Sequence, residues 1–250
     1  MVYNDLLTLI LIGFFSGSLV GLLSIGGGIV IVPMLHVIYP DIPIQDIVII
    51  SLHQIFFSSL TTYITHRSKQ KNTKKNIYWL FLHFSSLIIA AYVLHLLSEG
   101  LISILFISFI IISLIIRVLN ILEIHVKPFN YYNETMTTTC ATFGSLIGLG
   151  GSLLLYPTLR LSNQPYKKVL KECAFSSLSV GLLGTIFHDL LFLLNINQEF
   201  PWAMMIVLTI SSIITARIAS LKTYSLNQTI IDNISFILSV VIIIVYCYYL

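Results

Sequence analysis

The feature that most constrains this chain is a succession of apolar segments separated by short polar punctuation. They lie at roughly 6 to 39, 46 to 66, 77 to 97, 101 to 119, 136 to 161, 170 to 194, 201 to 219 and 230 to 249. A helix needs about 20 apolar residues to cross the hydrocarbon core of a bilayer. These segments are apolar on every side rather than along one stripe. Only 9% of the residues are charged and 57% are hydrophobic, whereas soluble domains carry about 25% charged residues. Such a chain cannot clothe its helices in polar surface. We therefore read it as an all-α, polytopic helical membrane protein, multi-pass in the lipid bilayer of the cell (plasma or inner) membrane. Met1 to Asp5 contains no Lys or Arg and no small-residue cleavage site follows, so the first segment is expected to remain in the mature protein.

Two of the segments are interrupted by glycines, Ser24-Ile25-Gly26-Gly27-Gly28 in the first and Gly148-Leu149-Gly150-Gly151-Ser152 in the fifth, and each runs on into a proline, Pro33 or Pro157. An offset of 124 residues (157 − 33) superposes the prolines, puts Gly26 on Gly150 and Gly27 on Gly151, and sets Gly28 on Ser152. Three further apolar segments follow each break. The chain thus reads as two repeats, residues 1–126 and 127–250, meeting near Lys127-Pro128 and forming one membrane domain.

Lys and Arg in short loops stay on the cytoplasmic side. If each broken segment crossed once, the loop with Arg160, Lys167, Lys168 and Lys171 would lie outside. If each instead turns back at its glycines as a hairpin of two short helices, a repeat is a hairpin plus three crossings, and the second copy is inverted. All 13 Lys and Arg residues then fall inside: Arg67, Lys69, Lys71, Lys74, Lys75, Arg117, Lys127, the four just named, Arg217 and Lys222. Asp5, Asp41, Asp46, Glu99, Asp189 and Glu199 fall outside with both termini. Charge does not say whether the hairpins are re-entrant or fully spanning. The net charge of +3 is thereby absorbed by topology, and no nucleic-acid partner is expected. Arg117 and Arg217, ending apolar segments, are expected to snorkel to the headgroups.

A glycine run within a membrane segment is costly unless its backbone is buried in protein or lines a polar cavity. A break there exposes N–H groups at the start of the next half-helix, near Gly28-Ile29 and Ser152-Leu153. With the positive end of the helix dipole these groups suit an anion. Ser24, Gly26, Gly27, Gly28, Gly150, Gly151 and Ser152 are accordingly candidate substrate ligands. Ser51, His53 and Gln54 of the second segment and Ser176 and Ser177 of the sixth are expected to complete the site. His53 has two open readings, a carrier of a coupling proton or a side chain satisfied by an interhelical hydrogen bond. His188 and Asp189 are a further candidate proton relay beside the simpler reading of a solvated interfacial pair. His83 reads as an interhelical link. Gly13, Gly17 and Gly21, four residues apart, form a packing face that serves within one chain or between two copies, leaving a homo-oligomer open. Cys140, Cys173 and Cys247 have no metal-ligand spacing, so neither metal nor cofactor is expected.

The segment from Gly17 to Pro33, with its looser copy from Gly144 to Pro157, resembles the TauE/SafE family of membrane permeases, the sulfite exporters, over nearly the whole chain. The resemblance implies export of sulfite or a small organosulfonate by a secondary transporter. Ser152 departs from the third glycine the pattern suggests, a change an anion site tolerates. Two other classes compete. A non-transporting scaffold or partner subunit has no use for duplicated breaks. A membrane-embedded enzyme would need a nucleophile and base or a metal cluster, and Gly-x-Ser-x-Gly, His-Glu-x-x-His and Cys-x-x-Cys are all absent from the sequence. We therefore expect no enzyme.

Overall fold

The computed structural model describes residues 3–67, 77–122, 124, 132–194 and 200–249. Lys69, Lys71, Lys74, Lys75, Lys127, Pro128 and Glu199 lie outside the described residues, as do the side chains of Asp5, His188 and Cys247. The described residues form α1 (Tyr3–Leu23), α2 (Gly28–Ile38), α3 (Ile44–Arg67), α4 (Ile77–Leu94), α5 (Glu99–Ile121), α6 (Tyr132–Leu146), α7 (Ser152–Leu161), α8 (Tyr166–Leu194), α9 (Trp202–Lys222) and α10 (Gln228–Tyr249). Among them α1, α3, α4, α5, α8 and α9 contain stretches long and apolar enough to cross a membrane.

The two broken segments each become two helices, and the second of each pair begins where the glycines end. Under the 124-residue offset α2 falls on α7 (28 + 124 = 152), and α3, α4 and α5 fall near the starts of α8, α9 and α10. Pro33 and Pro157 do not end their helices. Each is the sixth residue of its helix, α2 or α7. The first helices of the pairs differ from the short halves expected of a hairpin. α1 runs for 21 residues and α6 for 15. At about 1.5 Å per residue α1 is long enough to cross the bilayer by itself.

The chain nevertheless turns back at both breaks. Ser16 Oγ donates to Gly27 O at 3.2 Å, although a continuous helix would hold residues 11 apart at about 16 Å. In the second copy a Cβ on Gly151 would press on Ala141 and Cys140.

Side-chain contacts fix the helix directions. α1 lies along α9 in parallel, where a Cβ on Gly13, Gly17 or Gly21 would collide with Ser211, with Ser212 and Thr215, and with Ala216 and Ala219. The small-residue face thus packs within the chain. α4 runs parallel to α6, with Trp79 Nε1 donating to Glu134 O at 2.9 Å and Thr142 Oγ1 donating to Ser86 Oγ at 2.8 Å. α3 and α8 are antiparallel: Tyr63 meets Phe175, a Cβ on Gly181 would meet Phe56, and His53 meets Asp189.

Helix packing follows the same correspondence. α1 packs on α9 as α6 does on α4, α5 on α7 as α10 does on α2, and α3 packs against α8. α3 and α8 are the most buried of the long apolar helices. α4 and α5 turn Phe81, Ile89, Ile104 and Ile115 outward, as contact with lipid requires.

Several described basic residues gather at one end. Arg217 Nη1 donates to Thr65 Oγ1 at 2.8 Å, Tyr224 OH lies 2.8 Å from His66 Nδ1, and the Lys167 ammonium stands over the Tyr224 ring. Arg160 in turn stands over the Tyr166 ring at 5.9 Å. Arg117 departs from the snorkelling expectation. It is only 7% exposed, with its guanidinium carbon 6.0 Å from the centre of the Tyr156 ring. The turn of α5 that carries it packs on α7, so the side chain is covered by protein. Arg217 is exposed, as expected.

Candidate functional site

The two breaks touch each other in the interior. Gly26 N–H donates to Ser152 Oγ at 2.7 Å, 126 residues away. Ser152 Oγ lies 2.6 Å from Ser177 Oγ, and Ser177 Oγ also reaches Gly150 O at 3.2 Å and Ser24 O at 3.4 Å. From α3, Ser51 Oγ donates to Gly148 O at 2.8 Å. The approach is so close that a Cβ on Gly28 would collide with Gly148 O. Glycine is required there for that reason, and Gly151 is required for its φ of +71°.

In the first turn of α2 Val30 and Ile31 N–H already return to Gly27 O, and in α7 Leu155 N–H returns to Gly151 O, so only the N–H groups ahead of these lack the preceding turn that would supply an intrahelical acceptor. Neither helix has a side-chain cap: its N-cap is Gly27 in one case and Gly151 in the other. Both starts are sealed from water and lipid, since Ser24, Ser51, Gln54, Ser152, Ser176 and Ser177 are all at most 1% exposed. Ser24 Oγ, Gln54 Oε1 and Ser176 Oγ are buried with no hydrogen-bond partner among the described residues. Buried polar groups are rarely left so. Gln54 is aimed at the first break, where its amide would obstruct a Cβ on Gly27, and its Nε2 donates to Ser58 Oγ at 3.2 Å. Arranged in this way, the site offers N–H and hydroxyl donors, small side chains and two helix N-termini in a dry interior. In that setting hydrogen bonds to an anion are strong.

His53 is buried on α3. Its Nδ1 faces Ile49 O at 3.0 Å and its Nε2 faces Asp189 Oδ1 at 3.1 Å. The ring is thus fixed between a backbone carbonyl of its own helix and a carboxylate of α8, both of them acceptors. Asp189 is 52% exposed, which connects the pair to the outside of the fold. Asp189 therefore pairs with His53 across 136 residues. His83 links three helices: it contacts Ser179 Oγ at 2.8 Å and Thr138 Oγ1 at 3.3 Å, and stacks on Trp79 and Phe175. No group of three His, Cys, Asp or Glu side chains able to hold a metal occurs among the described residues.

Gly26, Gly28, Ser51, Gly150, Ser152 and Ser177 come together at the junction with Ser24. Gln54 and Gly27 meet at its edge, His53 stands apart with Asp189, and Ser176 lies on α8 beside Ser177. Ser16 escaped the sequence reading because nothing local marks a serine that caps a break 11 residues later. Asp232 also escaped it, although a carboxylate early in the last apolar segment was a visible signal.

A family model, Sulfite exporter TauE/SafE, matches residues 9–247. The chain belongs to the TauE/SafE family. Membership makes it a membrane permease of a family named for sulfite export, in agreement with the apolar helices. Neither a curated protein nor a solved structure matches the chain.

Proposed function

We propose that this protein is a secondary transporter that exports sulfite or a small organosulfonate, holding the anion where the two glycine breaks meet. The observation that carries this reading is the hydrogen bond from Gly26 N–H to Ser152 Oγ. Ser152 Oγ occupies the place that an oxygen of the substrate would take when the two halves part. Ser177, which already holds Ser152, would then donate to the anion. The hydroxyl of Ser24, without a partner among the described residues, offers a further donor nearby.

In this reading the repeats, 1–126 and 127–250, are inverted and rock about the α3–α8 pair to alternate access. The antiparallel course of α3 and α8, which correspond under the offset, supports inversion, since parallel duplication would align them. Both termini then lie outside. The His53 and Asp189 pair supports proton coupling: uptake of one proton by the pair adds one positive charge beside the outer end of α8, and its release to the other side removes that charge.

Flux in proteoliposomes tests the proposal, with sulfite, a short alkyl sulfonate and acetate compared with and without a pH gradient. Sulfite or sulfonate flux that falls at least tenfold in Ser152→Ala and Ser177→Ala is expected. Normal flux in both variants would remove the junction as the site. Arg67→Cys and Lys167→Cys should be labelled from the same membrane face by an impermeant maleimide; labelling from opposite faces would rule out inversion.

A further inference from the structure

One polar atom at the edge of the junction does not fit a site made only of donors. Gln54 is fully buried on α3, and the surroundings tell the two ends of its amide apart. Ser58 Oγ donates to Gln54 O at 2.7 Å and also approaches Ile55 O at 3.4 Å, which occupies its single hydrogen. Toward the amide Ser58 Oγ therefore acts as acceptor, and Gln54 Nε2 donates to it at 3.2 Å. This turns the carbonyl oxygen toward the first break, where a Cβ on Gly27 would stand 2.7 Å from Oε1.

Gln54 Oε1 is an acceptor with no donor among the described residues. The hydroxyls beside it are committed elsewhere. Ser16 Oγ, which crowds the same Cβ position on Gly27, donates to Gly27 O, and Ser51 Oγ donates to Gly148 O. Val30 and Ile31 N–H also return to Gly27 O. Bulk water does not supply the donor either. Asn163 and Gln164 line a cavity of about 290 Å³ that opens at the basic end between α5, α7 and α10, and water meets their amides there. Gln54 lies outside that lining, sealed in the interior. Buried acceptors are seldom left unpaired, and an acceptor turned toward an anion that carries no proton adds repulsion where a bond is needed.

We infer that Gln54 is a specificity determinant: its carbonyl oxygen accepts a hydrogen bond from the substrate, so the site takes hydrogensulfite, a small monoanion with its own O–H donor, in preference to the sulfite dianion or a simple alkyl sulfonate. The inference rests on the transport reading for the place of the anion and narrows its substrate class. The charged oxygens of hydrogensulfite suit the N–H and hydroxyl donors at the two helix starts, and its one O–H suits Oε1. A methyl sulfonate satisfies the first set and leaves Oε1 unpaired. A site with a buried polar group built to bond a substrate hydroxyl rejects the analogue that lacks it. Ser58 is a positioning residue, because it holds the amide in this orientation.

The test is sulfite flux in proteoliposomes of the full chain, with equal pH on both sides at each step from about pH 6 to about pH 8 and with methanesulfonate as competitor. Hydrogensulfite gives up its proton within that range, whereas methanesulfonate stays an anion without a donor throughout. In the wild type KM for total sulfite should rise with pH as the hydrogensulfite fraction falls, and methanesulfonate should compete at least roughly tenfold more weakly than hydrogensulfite. Gln54→Met, which keeps the volume and removes the acceptor, should flatten the pH dependence of KM and close most of that gap. Ser58→Ala leaves the amide free to turn its donor inward and should narrow the gap in the same direction; should Gln54→Met fail to fold, Ser58→Ala carries the test. A gap and a pH profile that survive unchanged in the folded variants overturn the inference. Flux of sulfite with methanesulfonate competing equally in the wild type would keep the transport reading and remove this one. Absence of any flux, with hydrogensulfite still stabilising the detergent-purified wild type against thermal unfolding more than methanesulfonate does and Gln54→Met abolishing the difference, would sink the transport reading and leave this assignment standing.

Discussion

The junction of α5, α7 and α10 at the basic end and the junction of α2, α5 and α10 at the other end are built from corresponding helices, yet one is hollow and the other is filled. At the filled junction Tyr246 and Phe106 are among the largest fully buried side chains. Their rings lie 5.0 Å apart, and Tyr246 also meets His36 at 5.8 Å. Tyr246 OH donates to Ser103 Oγ at 3.3 Å. His36 stands where Arg160 stands in the second copy (160 − 124 = 36). One copy thus places aromatic volume where the other places guanidinium charge. Aromatic rings pack a junction shut in the absence of water, while buried charges keep space around them for ions or solvent. Under the alternating access we propose, the hollow and filled ends would exchange, and this conformer would be the one open toward the basic end.

The largest effect should come from the break at which α7 of the hollow junction begins. Gly151→Leu introduces a side chain at φ +71° against the Ala141 backbone, so we expect loss of folded protein on size exclusion rather than a transport defect in an intact molecule. Recovery of monodisperse protein would show that the breaks tolerate separation. Next in size is Tyr246→Ala, which empties the filled junction. Truncation of a buried aromatic costs about 3–5 kcal/mol, and thermal unfolding should report it. A cysteine at His36 should also become reactive toward an impermeant maleimide; continued protection would mean that Tyr246 does not hold that end closed.

A smaller effect is expected for Ser177→Ala. Loss of a hydrogen bond to a charged partner costs about 1.5–3 kcal/mol, or roughly tenfold to a hundredfold in anion flux. The smallest is Asp189→Asn, which removes the carboxylate charge facing His53 Nε2. Flux without a pH gradient should change little, whereas its acceleration by an imposed gradient should disappear. An unchanged response would separate His53 from coupling.

Much of the frame was legible in the sequence. Apolar length marked the helices because a bilayer fixes how much backbone a segment must satisfy internally. The glycine runs marked the starts of α2 and α7 at Gly28 and Ser152 because a helix broken by a run of three small residues restarts at the last of them. The basic residues that flank the described helices marked one end. Less of the site could be read. Gln54 and Ser51 were visible as polar residues in an apolar helix, but their serine neighbours Ser58 and Ser59 have the same local signature. Ser58 and Ser59 donate to carbonyls of their own helix, and only the fold separates these roles.

By itself, then, the sequence determined the apolar helices, the two breaks and the end at which the described basic residues gather. These are properties of single segments in contact with lipid or water. Tertiary structure alone decided that Gly26 meets Ser152, that Asp189 meets His53 and that Arg117 is buried rather than extended to the headgroups. Each joins residues from different helices, and their pairing depends on how helices cross, which apolar composition leaves undetermined because nearly every face of every helix is apolar.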